Sequence, residues 1–487
     1  MMKNLLLICF LSIGICSCSH PSSTDHAAPD WQNLDLEKDG VFGISTEKAY
    51  AQLLQHKKAV TTIVAVIDNG IDTAQEDLAG MLWTNPVDGS HGRNYIVQET
   101  GKEDFIPMLI NKPNDPGYRR TLADYHFHVQ RLETFVGQLK ESKKILDQII
   151  KNIGKENPSY EELRLYQCRN EDERRIIHLI MDRMPLYPDF ARLKFCELDH
   201  LLDLAEYHLE HGLNRNLTAQ DISASMDSTV FNNDINNDPL GLVADANVPP
   251  PGHGTHMAGI IAAIRNNGKG INGIADHAQI MSLKCFSNIR EMRNEYLAPA
   301  IRFAVDHGAS VISMSFGKFF SLHREEVDKA VQYAMSKDVL MVHSAGNDGL
   351  NIDVDSNSFY PSPIYQNGSV ANAWITVGAS GYRDDATLVP SFSNYGKETV
   401  DVFAPGVEIT STIPNSGYIS WDGTSQAAPV VAGLAALIRS YYPRLSANQV
   451  KEIIMKTVTK RELLKDKCAS GGVVNAYNAL TLAATYQ

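Results

Sequence analysis

The chain has 487 residues, 44% of them hydrophobic and 21% charged, and a formal net charge of −13. That length exceeds one small domain, and the composition is ordinary for a globular protein with a large core. The negative balance argues against nucleic acid or an anionic membrane surface as the main partner.

Lys3 precedes the apolar run LLLICFLSIGI, too short for a stable bilayer-spanning anchor and suited to the hydrophobic region of a signal peptide. The run ends in Ile15-Cys16-Ser17-Cys18, where small Ser17 before Cys18 resembles a bacterial lipobox and bulky Ile15 makes Cys16 the weaker candidate. Residues 1–18 then form a lipoprotein-type signal, Cys18 is the lipid-attachment residue, and residues 19–30 are a polar tether. An ordinary cleaved secretory signal is the alternative. Apart from Cys9, Cys16 and Cys18 the cysteines are Cys168, Cys196, Cys285 and Cys468. An exported compartment permits disulfides. Cys168 and Cys196, expected on one helical segment, are the first candidates for a pair, with free buried thiols the equal alternative.

STEKAYAQLLQHKKA reads as a short amphipathic helix with Ser45 placed to cap it. TTIVAVID follows, a continuous apolar run rich in β-branched residues, as in a strand buried on both faces. AQIMSLKCF, GASVISMSFG, VLMVHSAGN and WITVGAS repeat that character, and helical patterns alternate with them. This alternation predicts an α/β fold with a doubly wound, mostly parallel sheet and ligands at the C-terminal strand ends.

Between about 119 and 212 the pattern changes to helices alone. Leu132, Phe135, Val136, Leu139, Leu146, Ile149, Ile150 and Ile153 recur at helical spacing before Gly154, and Ser159 with Glu162 offers a capping box. The predicted organisation is a catalytic domain in two parts, 31–98 and 234–487, split by an inserted all-helical subdomain over 99–233.

Three segments outside the insertion carry chemistry. AVIDNGID puts Asp68 at the end of a buried strand, GHGTHMAG puts His253 at a helix start, and DGTSQAAP puts Ser425 at the start of a second small-residue helix. A hydroxyl at a helix start is ordinarily a cap. Matching Asp and His segments in the order Asp, His, Ser, together with HSAGNDG, resemble the subtilisin-like serine peptidases (subtilases).

The resemblance implies that Asp68 orients the imidazole, His253 acts as general base and then acid, and Ser425 is the nucleophile forming an acyl-enzyme. It implies that Asn347 and the Ser425 N–H donate to the oxyanion. Ser315, Phe316 and Gly317 match the segment that pairs with an extended substrate, and Ser344, Ala345 and Gly346 a wall of the specificity pocket. Small residues behind Ser425 (Ala427, Ala428, Ala432, Gly433) permit close helix packing. The sequence departs from the family at Asn69, Gln426 and Ala428, in the long spacing from Asp68 to His253, and in leaving no room between Cys18 and Asp68 for a folding-assistant prodomain.

Catalysis of this kind needs no cofactor; many members of the family that the chain resembles bind structural calcium, but the resemblance assigns no ligands for it here. His200, Asp203, His208 and His211 are candidate transition-metal ligands on what reads more simply as a solvated helix face. Asp353, Asp355 and Asn357 are spaced like half of a calcium loop, without its glycine and closing glutamate, which favours a plain polar loop. The expectation is an exported, lipid-anchored serine endopeptidase acting on proteins or peptides. The alternatives are a non-catalytic scaffold presenting the insertion to a partner, and a transpeptidase using the same triad.

Overall fold

The computed structural model describes residues 27–96, 118–187, 189–207, 209, 251–286, 294–318, 321, 324–354 and 358–486. The signal segment with Cys18, most of the tether, His208, His211, Asp355, Asn357 and the side chains of His200 and Cys196 lie outside the described residues. The described residues fall into two compact units, one formed by 27–96 with 251–486 and the other by 118–209. Among them no helix is long and apolar enough to cross a membrane.

The first unit is built on a nine-stranded sheet, and its order places the chemistry. The strands are β1 (Thr62–Asp68), β2 (Gly92–Asn94), β3 (Ala278–Lys284), β4 (Val311–Met314), β5 (Leu340–Ser344), β6 (Trp374–Ser380) and β7 (Val402–Pro405). A separate hairpin comprises β8 (Ile409–Ile413) and β9 (Gly417–Trp421), and the short β10 (Thr459–Lys460) and β11 (Gly472–Val473) finish one edge. The order is β10-β11-β7-β6-β5-β4-β1-β3-β2, with only β10–β11 antiparallel in the sheet. The longer helices of this unit are α1 (Gly252–Ala262), α2 (Asn294–Asp306), α3 (Arg324–Ser336), α4 (Thr424–Tyr441), α5 (Ala447–Lys456) and α6 (Ala476–Ala483).

Alternation of apolar side chains gives the sheet two cores. Val64, Val66, Val311, Leu340, Val342, Ile375 and Val377 face one way and pack with α1, α4, α5 and α6. Ala65, Ile67, Met281, Leu283, Ile312, Met314 and Trp374 face the other way and pack with α2 and α3. Strands covered on both faces carry apolar residues at every position, which is why the runs show no polar alternation. Close packing of α1 and α4 depends on their glycines. A Cβ on Gly259 would lie 2.2 Å from Thr412 Oγ1, and one on Gly433 would lie 2.7 Å from Ile274 Cβ.

Ser45 does not cap the helical turn Thr46–Ala49. Its φ is +62° and it makes no capping hydrogen bond. Its Oγ accepts instead from Asn475 Nδ2 at 3.0 Å. A tertiary partner has displaced the local one.

The second unit is helical. One long helix, Tyr118–Ile153, stops at Gly154 with φ +76°, as a left-handed terminator allows. Ser159 and Glu162 form a capping box on Tyr160–Arg164. The long helix packs against Glu171–Arg183 and His200–Tyr207. Leu139, Leu146, Ile149, Leu163, Phe190 and Leu193 are buried in this unit. Cys168 is a free thiol between Tyr160–Arg164 and Glu171–Arg183, whereas Cys196 lies in the later turn Phe195–Asp199, so the expected pairing on one segment does not occur.

Candidate active site

The C-terminal ends of β1, β4 and β5 lie side by side because Ile67 is in register with Met314 and Met314 with His343. Asp68, Ser315 and the turn after Ser344 therefore meet at one edge. Asp68 is buried, and its Oδ1 accepts from the Asn69 N–H at 2.7 Å. His253, second residue of α1, has Nδ1 at 2.8 and 2.9 Å from the two Asp68 oxygens. A carboxylate can only accept, so this geometry places the imidazole proton on Nδ1. The His253 side chain is 18% exposed, enough to meet a ligand.

Two contacts set the start of α1. The Gly254 N–H donates to Asn69 Oδ1 at 2.9 Å, satisfying a first-turn donor across 185 residues of chain. A Cβ on Gly254 would lie only 2.1 Å from the Gly70 carbonyl oxygen, so glycine is required for the approach. Asn69, noted above only as a departure from the family pattern, thus positions the histidine helix.

His256, one turn further on, has a different setting. It is buried, stacks on Trp421 with centroids 4.6 Å apart, and its Nε2 lies 3.1 Å from the Ile419 carbonyl. Burial pushes its pKa down to about 3, so it is neutral and donates from Nε2. Trp421 also lies parallel to His253 at 6.5 Å and backs both rings.

The α4 N-terminus brings Ser425 to the same edge. Gly423 occupies the N-cap position and no side chain caps the helix, so Ser425 is not a cap. Its hydroxyl donates to the Ser315 carbonyl at 3.1 Å, while Ser315 Oγ donates to the Ser425 carbonyl at 2.9 Å. The pair fastens the helix start to the end of β4. Thr424 fastens it to the turn after β5. Its N–H and its hydroxyl both donate to Asn347 Oδ1 at 2.8 Å, and Thr424 Oγ1 accepts from the Gly346 N–H at 3.1 Å.

A backbone N–H can only donate, so these bonds fix which end of the Asn347 amide is oxygen. Nδ2 is directed toward the Gly423–Ser425 turn, where a Cβ on Gly423 would lie 3.4 Å from it. The first-turn N–H of Ser425 and the Asn347 amide thus border the same space.

Asn394 was not singled out by the sequence reading. It is fully buried and pins the 345–350 turn. Its Nδ2 donates to the Ala345 carbonyl at 2.9 Å, and its Oδ1 accepts from Asp348 N at 3.0 Å and Leu350 N at 2.9 Å. SFSNYG reads as a polar loop, and its partners lie too far along the chain for any local pattern to reveal them. Phe316 is buried and its ring meets Phe286 at 5.4 Å. Its carbonyl accepts from His343 Nε2 at 2.7 Å, and burial pushes His343 down to about 4, so it too is neutral.

The other candidates stay apart from this edge. Asp353 Oδ1 accepts from the Thr399 hydroxyl at 2.7 Å and the Thr399 N–H at 2.9 Å, and Oδ2 from Glu398 N at 3.2 Å. Asp353 is thus engaged by a neighbouring turn, while Asp355 and Asn357, the rest of the half-loop, lie outside the described residues. Among the described residues no group of three or more His, Cys, Asp or Glu side chains converges as metal ligands would. Cys285 is buried beside Asp68, and burial, reinforced by that charge, pushes its thiol well up and keeps it protonated.

A model of the subtilase family matches residues 60–477. A thermophilic serine proteinase of Bacillus sp. (strain AK1) is 37% identical over 235 residues, 47% of this chain and 52% of that protein. Thermitase of Thermoactinomyces vulgaris is 38% identical over 229 residues, 47% of this chain and 75% of its own. Subtilisin DY of Bacillus licheniformis is 35% identical over 208 residues, covering 43% and 70%. The match spans about half the length of the first of these and more of the other two. A structure solved in work on the assembly of subtilase cytotoxin SubAB aligns at a TM-score of 0.42 and 24% identity, covering 51% of this chain and 80% of that one.

Proposed function

The chain belongs to the subtilase family, and from that membership we propose that it is a serine endopeptidase cleaving proteins or peptides through an acyl-enzyme on Ser425. The observation that carries the reading is the pairing of buried Asp68 with partly exposed His253, at 2.8 Å, on the strand edge to which Ser425 is also fastened. The Ser425 hydroxyl leaves the Ser315 carbonyl and gives its proton to His253 Nε2 as Oγ attacks the substrate carbonyl carbon. Asp68, fixed by Asn69, stabilises the imidazolium that forms. The carbonyl oxygen becomes an oxyanion held by Asn347 Nδ2 and the Ser425 N–H, at a helix N-terminus that favours negative charge. Collapse breaks the C–N bond, and His253 returns the proton to the leaving amine. Water then repeats the sequence to release the acid.

The same reading includes export and anchorage to a bacterial membrane through a lipid on Cys18. Lys3, the short apolar run and the Ser17-Cys18 pair support it. Labelling with a fluorophosphonate reagent tests the mechanism. The native chain should label and cleave casein, and Ser425→Ala should do neither. A Ser425→Ala protein that cleaves casein at the native rate would remove Ser425 from the mechanism. Labelling without hydrolysis, converted to ligation by added amine, would point to transpeptidation.

A further inference from the structure

The two backbone segments expected to receive the substrate are bridged by one aromatic ring. Gly317 follows β4 and Gly346 follows β5. A Cβ on Gly317 would lie 2.1 Å from Cε1 and 2.4 Å from Cζ of Phe359, and one on Gly346 would lie 3.0 Å from Cζ and 3.2 Å from Cε1 of the same ring. The far edge of Phe359 is thus in van der Waals contact with both glycines. Each glycine is small where the ring is large.

The segment that carries the ring is anchored, and the ring itself packs on a buried neighbour. Lys318 and Tyr360 exchange backbone hydrogen bonds at 2.9 and 2.8 Å, which ties the Phe359 segment alongside Gly317. Arg324 lies over the Tyr360 ring at 4.2 Å and donates to its hydroxyl at 3.2 Å. The buried His343 ring packs on Phe359 with centroids 5.8 Å apart, and is itself fixed by the Phe316 carbonyl. Phe359 is half-buried, so one part of the ring still faces outward.

We propose that the Phe359 ring closes the space between Gly317 and Gly346 and limits the residue on the acyl side of the cleaved bond to a small side chain, glycine, alanine or serine. This rests on the serine-peptidase reading above. An acyl donor aligned along Ser315–Gly317, with its carbonyl at Ser425 and Asn347, points its side chain between those two glycines. A methyl or hydroxymethyl group stops short of the ring. A benzyl or isobutyl group needs the volume that Cε1 and Cζ occupy, and the His343 ring packed on Phe359 backs it in that position.

The test compares kcat/KM for succinyl-Ala-Ala-Pro-Ala-p-nitroanilide and its Phe counterpart, using the full chain, Phe359→Ala and Phe359→Leu. The native chain should favour the Ala substrate by on the order of ten-fold or more, a discrimination typical of pocket volume. Phe359→Ala should reverse the preference and Phe359→Leu should fall between. The ratio is independent of the fraction of folded enzyme, so a poorly folding variant still reports. A native preference for the Phe substrate, or a ratio that moves less than about two-fold in both variants, would overturn the assignment while leaving the peptidase reading intact. Absence of both turnover and fluorophosphonate labelling in the native chain would overturn the reading beneath it.

Discussion

At Asn347 the two ends of one amide have separate duties. Oδ1 is taken by the Thr424 N–H and hydroxyl, and this aims Nδ2 at the turn that carries Ser425. In Asn347→Leu the donor is lost, and kcat should fall on the order of a hundred- to a thousand-fold with KM little changed, because that hydrogen bond strengthens as charge develops on the oxygen. Asn347→Asp keeps an acceptor for Thr424 and still removes the donor. Its kcat should therefore fall at least as far while its thermal midpoint stays nearer the native value. Loss confined to KM in both variants would place Asn347 in substrate binding. Asp68, His253, Ser425 and Asn347 were legible in the sequence because each lies in a short motif whose neighbours serve it. Asn69, Asn394 and Phe359 were not, because each acts on a backbone far away in the chain, and only the fold brings the two together.

Helix α1 is an element whose first turn does more than its length suggests. Gly254 lets it approach the Asp68–Gly70 turn, and Asn69 takes the Gly254 N–H. Gly254→Ala would drive a methyl group into the Gly70 carbonyl, and backbone cannot step aside as a side chain can. The helix start should shift with His253 on it, lowering kcat/KM on the order of a hundred-fold while circular dichroism keeps its native shape. Gly137→Ala is the contrast, since nothing lies within 4 Å of that position in Tyr118–Ile153. It should leave activity alone and stabilise by up to about 1 kcal/mol. Wild-type rates in Gly254→Ala would show that the close approach is not needed. The main strands and helices were legible as elements because runs of apolar residues buried on both faces alternate with helical patterns. The two-residue strands β10 and β11 carry too little sequence to leave a pattern, and Ser45 misled because a cap and a tertiary acceptor look alike in one dimension.

For the molecule as a whole, the two buried histidines bias stability toward neutral over acidic pH. Unfolded histidine takes up a proton near 6.5, but His256 and His343 do so in the folded chain only near 3 and 4. Below about 6.5 the unfolded state therefore binds more protons, and stability falls with pH. Asp30 acts in the opposite sense, since burial raises it from 3.8 to about 6 and the folded chain protonates first. From these three groups, at pH 5 relative to pH 8, each histidine costs about 2 kcal/mol and Asp30 offsets about 1 kcal/mol, a balance of about 3 kcal/mol against the folded state. The buried Asp401 carboxyl, also raised, acts in the same sense as Asp30. Urea unfolding of Ser425→Ala, which cannot digest itself, should show a lower midpoint at pH 5 than at pH 8. His343→Gln should flatten that dependence, and a midpoint that rises on acidification would refute the assignment. The place of β1 has a consequence of another kind. Hydrogen-bonded to β3 on one side and β4 on the other, it lies well inside both edges of the sheet. Fraying begins at the ends and margins of a structure and reaches such interior strands last. Amide hydrogens of β1, the strand that ends in Asp68, should therefore be among the slowest of the sheet to exchange. On the serine-peptidase reading proposed above, displacing that aspartate would require β1 to part from β3, with which Asp68 is itself paired.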